Sequence, residues 1–311
     1  MDSKKSARFA GGLLLIAALM AAIAVLPPTT SDGALLEAIF DAGHIPMFVV
    51  FAWVVLWLSR STLPGKGGSH YLIAAILVVL AGLGTEFLQK FGARDAGWID
   101  FGRDLLGGGA GLLSAWALGP RKWPARVGAM IVALALVGFG FAELVRVKLD
   151  LDDRDASFPS IAGFDAPWEH RFVHGHDSDL DLVQAPAAWG AGTVGRVTFS
   201  TEAYPSLAVH EPFPDWSGYS ALEFAVWAEE PAALTVRVHD TDHDQTYSDR
   251  FNREIRIQPG LNQVRIPLVE IEAAPRDRSL NLREVAGIAV FADHPAEPFT
   301  VWFDDLSLTV E

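Results

Sequence analysis

Asp150-Leu151-Asp152-Asp153-Arg154-Asp155 divides the sequence into two parts of opposite character. Residues 1–150 carry 13 Lys and Arg against 10 Asp and Glu, a balance of +3. Residues 151–311 carry 11 Arg, no Lys, and 28 Asp and Glu, a balance of −17. The whole-chain charge of −14 is thus an average that describes neither part. Half of the chain is hydrophobic, which excludes a disordered polymer. The lack of cysteine excludes a disulfide framework and thiolate-ligated zinc or iron–sulfur centres. The acidic balance argues against nucleic acid as a partner, because such proteins present a basic face.

Upstream of the acidic run the sequence reads as membrane. Residues 9–26 form an 18-residue uncharged stretch preceded by Lys4, Lys5 and Arg8. Pro27-Pro28 follows it in place of a small-residue cleavage site, so it reads as an uncleaved anchor rather than a signal peptide. Apolar segments recur at 45–58, 71–85, 105–119 and 127–142, each of 14 to 16 residues. They reach spanning length only with their polar flanks, and they lack the alternation that would supply a wet face. The expectation is an α-helical membrane bundle over 1–148 with five transmembrane helices, at about 9–27, 44–59, 70–89, 103–119 and 127–147. Residues 149–160 read as a charged linker.

Loop charges set the orientation. The N-terminus, the link 59–70 (Arg60, Lys66) and the link 120–126 (Arg121, Lys122, Arg126) are basic, whereas 27–43 has no Lys or Arg. The positive-inside rule places the N-terminus in the cytoplasm and residues 161–311 outside, in a multi-pass protein of the inner (cytoplasmic) membrane. One link breaks the pattern. Residues 90–103 are external by this count yet hold Lys90, Arg94 and Arg103.

Chemistry gathers around that link. Asp41 and His44 precede the second span, Glu86 and Gln89 end the third, and Arg94, Asp100, Arg103 and Asp104 precede the fourth. All fall on the outer side. Glu86 and Gln89 share a helix face, with Gly82 one turn earlier allowing close approach. Charged groups in or near a span are costly and are usually paired or functional. The bland alternative is a set of interfacial residues in headgroup water, paired as Glu86–Arg94 or Asp104–Arg103. The functional alternatives are a phosphate held by Arg94 and Arg103, a divalent ion held by the carboxylates, or His44 as a base with Glu86 or Asp100 orienting it. No serine nucleophile accompanies His44, which argues against acyl transfer through a triad.

The order Asp41-x-x-His44-x-x-x-Phe48, Glu86-x-x-Gln89-x-Phe91-x-x-Arg94, Asp100-x-x-x-Asp104 and a Gly-rich helix from Gly107 to Gly111 resembles the VanZ-like membrane proteins over residues 35–120. Where that family often has Asn after the second Asp, this chain has Gly107 and Gly108. The resemblance implies an envelope protein of no settled biochemical activity.

Downstream, short period-two runs recur between turns at 222–227, 234–239, 254–257, 263–267, 287–291 and 300–308. Asp215-Trp216-Ser217-Gly218 and Gln258-Pro259-Gly260 are turn signals. Six or more strands without a long helix predict an all-β jelly-roll sandwich over 161–311. Trp216, Tyr219 and Trp227 read equally as core or as a sugar-stacking platform. His239-Asp240-Thr241-Asp242-His243-Asp244 alternates potential metal ligands without a zinc spacing, and reads better as a polar loop whose Arg250 and Asn252 tie down the sandwich.

The segments 214–219, 249–252, Pro259-Gly260-x-Asn262-x-x-Arg265-Ile266-Pro267 and Trp302-Phe303-Asp304-Asp305-Leu306 resemble the galactose-binding-like jelly rolls of carbohydrate-binding modules. The resemblance implies a carbohydrate ligand and, in several such modules, a structural Ca²⁺ between an early acid and one on the last strand, here Asp165 and Asp304. No other cofactor is expected.

No pair among the 28 acids identifies a glycosidase, and no phosphate loop, dinucleotide fingerprint, H-E-x-x-H or nucleophile elbow occurs. The leading expectation is therefore a membrane protein binding an envelope glycan or lipid-linked precursor, without assigned catalysis. The alternatives are a membrane enzyme acting on a lipid head group through His44, Glu86, Arg94 and Asp100, and a tether to another envelope protein.

Overall fold

A computed structural model describes residues 11, 12, 14, 33–89, 98–190 and 192–310, with the side chains at 88 and 89 excepted. The first expected span, 9–27, therefore lies almost wholly outside the described residues, as do Arg94 and the side chain of Gln89. The chain divides into two compact units, Met1–Lys148 and Leu149–Glu311.

The first unit is helical: α1 (Gly33–Thr62), α2 (Gly67–Gln89), α3 (Trp98–Ala117), α4 (Trp123–Gly140) and the start of α5 (Ala142–Ser157). Along α1, Ala38, Ala42, Ile45, Phe48, Ala52 and Val55 are buried at three- and four-residue spacing, a single stripe facing the other helices. The opposite face is not polar. Ile39, Val50, Trp53 and Trp57 are exposed on α1, as are Ile131, Val132, Leu134 and Phe139 on α4.

Three described helices are long and apolar enough to cross a membrane: Gly33–Thr62, Gly67–Phe87 and Trp123–Gly140. Of the five expected spans, the first lies outside the described residues, three are matched by these helices, and the one at 103–119 is not among them. The expected span 103–119 belongs to α3, whose first two turns carry Asp100, Arg103 and Asp104. The expected span 127–147 stops at Gly140, and after a turn at Phe141 the chain continues as the charged helix α5. Glycines at 138 and 140 weaken the helix just where its apolar run ends.

The acidic run expected as an open linker is helical too. Two of its acids are paired: Arg171 Nε donates to Asp150 at 2.6 Å, and Arg154 donates to Asp155 at 2.7 Å and to the Glu211 carbonyl at 2.8 Å.

The second unit is an antiparallel β-sandwich. One sheet runs β3 (Ser178–Gln184), β4 (Thr193–Phe199), β11 (Phe299–Thr309), β6 (Ala221–Ala228), β9 (Gly260–Pro267), with β1 (Ser160–Ala162) also paired to β11. The other runs β2 (Val173–His176), β5 (Ser206–His210), β10 (Val285–Phe291), β7 (Ala232–Asp240), β8 (Phe251–Ile257). A short helix, α6 (Leu268–Glu272), follows β9. Period two decides what enters the core: Leu234, Val236 and Val238 of β7 point inward, while Thr235, Arg237 and His239 point out. Gly260 at φ 94° makes the β8–β9 turn that the Gln258-Pro259-Gly260 sequence predicts, in a conformation that a β-carbon disfavours.

The aromatic ambiguity resolves residue by residue. Trp216 is fully buried and donates from Nε1 to the Phe213 carbonyl at 2.8 Å. Tyr219 packs against the core, and Trp227 meets its cross-strand partner Trp302 edge-on at 5.0 Å.

Candidate functional site

In the helical unit, three helices converge on a buried polar cluster. His44 on α1 is 1% exposed and Asp104 on α3 is fully buried, and His44 Nδ1 lies 2.8 Å from Asp104 Oδ1. Thr85 on α2, which the sequence reading did not single out, lies 3.1 Å from the other Asp104 oxygen and 2.7 Å from the Gly82 carbonyl. Close approach makes this geometry possible, since a Cβ on Gly82 would stand 3.3 Å from Asp104 Cβ. Asp104 thus fixes the imidazole through Nδ1. His44 Nε2 is buried and has no hydrogen-bond partner among the described residues.

Beside this pair, Arg103 Nη1 bridges Asp41 at 2.9 Å and Asp100 at 2.5 Å. Its guanidinium is committed to two carboxylates, which leaves it poorly placed for the phosphate grip expected of it. The structure therefore brings together Asp41, His44, Asp100, Arg103 and Asp104 in two linked groups. Glu86 is half-buried one residue beyond Thr85 on α2.

In the sandwich, the outward face of the five-stranded sheet forms a groove of about 470 Å³. The register dictates its shape. Ala208 of β5 pairs with Ala289 of β10, which pairs with Arg237 of β7, which pairs with Asn252 of β8. Small side chains thus make the floor and long polar ones a wall. Tyr204 and Tyr247, 55% and 70% exposed, line the groove together with Arg237 and Arg250. Tyr204 is held edge-on by Phe291 at 5.9 Å and by His294 at 5.0 Å. Burial, and then the charges of Arg237, His243 and Arg250, hold His239 down to about 4, so it is a neutral ring at neutral pH.

The His/Asp loop is tied down differently from expectation. Arg278, missed in the sequence, donates to both oxygens of Asp240, at 2.5 and 2.7 Å, and to both oxygens of Asp249, at 2.6 and 3.0 Å. Arg250 instead lies over the Tyr247 ring at 5.6 Å, while Asn252 does anchor the loop through the Tyr247 carbonyl at 3.3 Å. His243, Asp244 and Asp249 form a group whose ligand atoms come within 4.8 Å of one another. Arg278 already occupies the Asp249 carboxylate, so a cation there would have to displace a guanidinium.

Asp165 and Asp304 occupy an acidic corner that also includes Glu169. Glu169 accepts from the Gly163 amide at 2.6 Å and from the Ala166 amide at 3.2 Å, and Asp304 accepts from the Asp305 amide at 2.9 Å. Phe164 and Asp305, at φ 58° and 54°, hold the backbone in the left-handed region beside both aspartates. Burial, together with repulsion from Asp305, Asp165 and Glu169, pushes Asp304 up to about 6. Burial raises Glu169 as well, with Asp165 adding to it.

No protein-family model matches the sequence. No curated protein matches it either. Among solved structures, the chain is similar to the family 11 carbohydrate-binding module from Clostridium thermocellum in complex with a β-1,3-1,4-mixed-linked tetrasaccharide. That similarity has 11% identity and a TM-score of 0.40, over 49% of this chain and 94% of the module. A family 30 carbohydrate-binding module is similar at 18% identity and a TM-score of 0.35, over 43% of this chain and 78% of the module. An exo-β-agarase is similar at 14% identity and a TM-score of 0.36, over 45% of this chain and 24% of the enzyme.

Proposed function

We propose that this is a VanZ-like protein of the cell envelope, held in the membrane by its helical unit, whose β-sandwich binds a glycan in the groove across its five-stranded sheet. The observation that carries the binding role is the groove itself: a small-residue floor flanked by two exposed tyrosines and a wall of hydrogen-bonding side chains. Sugar rings present apolar faces that stack on aromatic rings, and hydroxyls that need donors and acceptors. Membrane residence is supported by apolar side chains that remain exposed on α1 and α4, the reverse of a soluble helix. The test uses full-length protein in detergent and an array of neutral and charged polysaccharides. The wild type is expected to retain at least one, and Tyr204→Ala with Tyr247→Ala to weaken it by about 10-fold or more, as loss of two stacking contacts implies. Retention of none, or retention indifferent to both tyrosines, would overturn the reading.

Asp165, Glu169 and Asp304 would hold the structural calcium. Mutual repulsion among these acids is what a divalent cation relieves, and carboxylate oxygens suit it. Without the ion, the folded state keeps a proton on Asp304 that the unfolded chain has lost. Its stabilising contribution is therefore present below about pH 4 and lost as pH rises through about 6. His239 acts in the opposite sense, so the informative quantity is wild type minus Asp304→Asn. In chelator, that difference in melting temperature is expected to become unfavourable between about pH 4 and 6, and millimolar calcium to restore only the wild type. Calcium-insensitive melting of the wild type would remove the ion from the account.

One observation favours a second reading, a membrane enzyme acting on a lipid head group. His44 presents a buried, unpartnered Nε2 with Asp104 orienting the ring, which is the arrangement of a general base. Turnover of a lipid-linked substrate that disappears in His44→Ala would establish it.

A further inference from the structure

Most arginines of the sandwich, Arg276 and Arg283 apart, sit on carboxylates: Arg171 on Asp150, Arg196 on Asp181, Arg265 on Glu223, Arg278 on Asp240 and Asp249. In a domain with 28 acids this is easily arranged. Yet among the described residues neither Arg237 nor Arg250 has an ion-pair partner, and the Nε of each is buried without a hydrogen bond. Both line the groove.

Among the described residues no carboxylate is in ion-pair contact with either arginine, although three acids line the same groove. Arg237 has Ala289 opposite on one side and Asn252 on the other, with Thr235 and His239 as neighbours along β7. Arg250 lies over Tyr247. Glu254, which shares the outward face of β8, turns to Arg256 at 3.5 Å. The groove's acids, Asp177, Glu202 and Asp293, stand on the loops after β2, β4 and β10, where Asp177 faces His176 at 3.5 Å and Asp293 faces His294 at 2.6 Å. Burial and the nearby charge of Arg250 hold the Arg237 guanidinium below its usual range, the signature of a cation lacking an anion. Two half-buried cations that repel each other are unfavourable until something negative lies between them.

We infer that the groove selects glycans bearing a negatively charged substituent, a carboxylate or a sulfate ester, and seats that substituent on Arg237 and Arg250. This rests on the glycan reading above and names the class of glycan. A planar guanidinium pairs in two-pronged fashion with either group. Ala289, small and on the groove's lining, leaves room for the ring that carries it. The −17 field of the surrounding domain repels polyanions in general, so only one that reaches the arginine pair gains from binding.

The test measures binding of full-length protein in detergent to four probes: oligogalacturonate, its carboxyl-reduced form, sulfated carrageenan oligosaccharides and their desulfated form. At least one charged probe is expected to bind about 10-fold or more tighter than its neutralised twin, the range of a charge-assisted contact. Which charged probe does so separates carboxylate from sulfate. Arg237→Leu and Arg250→Leu should each erase that preference. Arg250→Leu should also leave the unfolding midpoint of the sandwich unchanged or raised, because it relieves a repulsion; a lowered midpoint would mark a structural arginine and overturn the inference. Equal affinity for charged and neutral twins overturns charge selection while leaving glycan binding intact. Failure of all four probes and of neutral β-glucan overturns both.

Discussion

Replacing Arg278 with methionine is expected to lower the stability of the β-sandwich by about 3–5 kcal/mol, the range for stripping a buried charge of its partner. Asp240 has no exposed side-chain surface, and Arg278 satisfies both of its oxygens, while the Asn281 amide adds a third bond at 2.7 Å. Burial alone would push Asp240 up, but the hydrogen bonds from Arg278 and Asn281 outweigh it and hold the group below the ordinary carboxylate range. Hydrogen bonds from Arg278 likewise hold Asp249 well down. Both are depressed carboxylates, so their contribution is present above their ordinary pKa of 3.8 and fades as pH falls below it. The deficit of Arg278→Met should accordingly be largest at neutral pH and shrink in acid. Adding Asp240→Asn should recover part of it, because the buried charge left behind is the main source of the loss. Denaturation of the full-length protein, followed by hydrogen exchange in β7 and β10 peptides, reads the effect directly. A midpoint shift worth less than about 1 kcal/mol at neutral pH would show that the cluster contributes only as a surface ion pair does.

Much of the sandwich was legible because its strands are half-buried. Period two survives in runs such as Leu234-Thr235-Val236-Arg237-Val238, and all six runs marked in the sequence are strands. The strands between 160 and 210 escaped notice. β3 is an exposed edge that does alternate, but through Asp179 and Asp181, a residue type depleted in strands, and β1 is three residues long. Helix ends were less legible than helix existence. Apolar length cannot show that α3 begins five residues before its expected span, nor that α4 stops at Gly140. Of the polar cluster in the helical unit, Asp41, His44, Asp100, Arg103 and Asp104 could be singled out because charge in an apolar context is itself a signal. Thr85 gave no such signal, since one threonine in a helix is unremarkable until a carboxylate lies opposite it. Arg278 and Arg237 were equally silent. Whether an arginine is paired depends on strands distant in sequence: Asp240 lies 38 residues from Arg278. Glu169 belongs to the acidic corner through bonds to two backbone amides, which no spacing rule anticipates.

Valine at Gly107 or Gly111 is expected to destabilise the helical unit by about 3 kcal/mol or more, combining overpacking with loss of a buried hydrogen bond. A Cβ on Gly107 would stand 2.5 Å from the Ile45 carbonyl oxygen and 2.9 Å from Phe48 Cβ. One on Gly111 would stand 2.7 Å from the Val49 carbonyl oxygen and 2.9 Å from Ala52 Cβ. These neighbours are the backbone and first side-chain atoms of α1, which cannot swing aside, so α1 and α3 must separate. Separation has two further consequences. Trp53 Nε1 loses its bonds to the Gly111 carbonyl at 2.8 Å and to Ser114 at 3.0 Å. His44, adjacent to Ile45, is drawn away from Asp104, three residues before Gly107, leaving the imidazole without its partner and Asp104 with Thr85 alone. Gly107 and Gly111 thus have a role in packing. They let the two helices approach closely enough for the His44–Asp104 pair to form. Gly84→Val is the matched control, since nothing lies within 4 Å of a Cβ there, and it should retain both monodispersity in detergent and the wild-type unfolding midpoint. If Gly107→Val unfolds at the same denaturant concentration as Gly84→Val, close α1–α3 packing does not hold the polar cluster together, and the pair must be sustained by Thr85 and α2 instead.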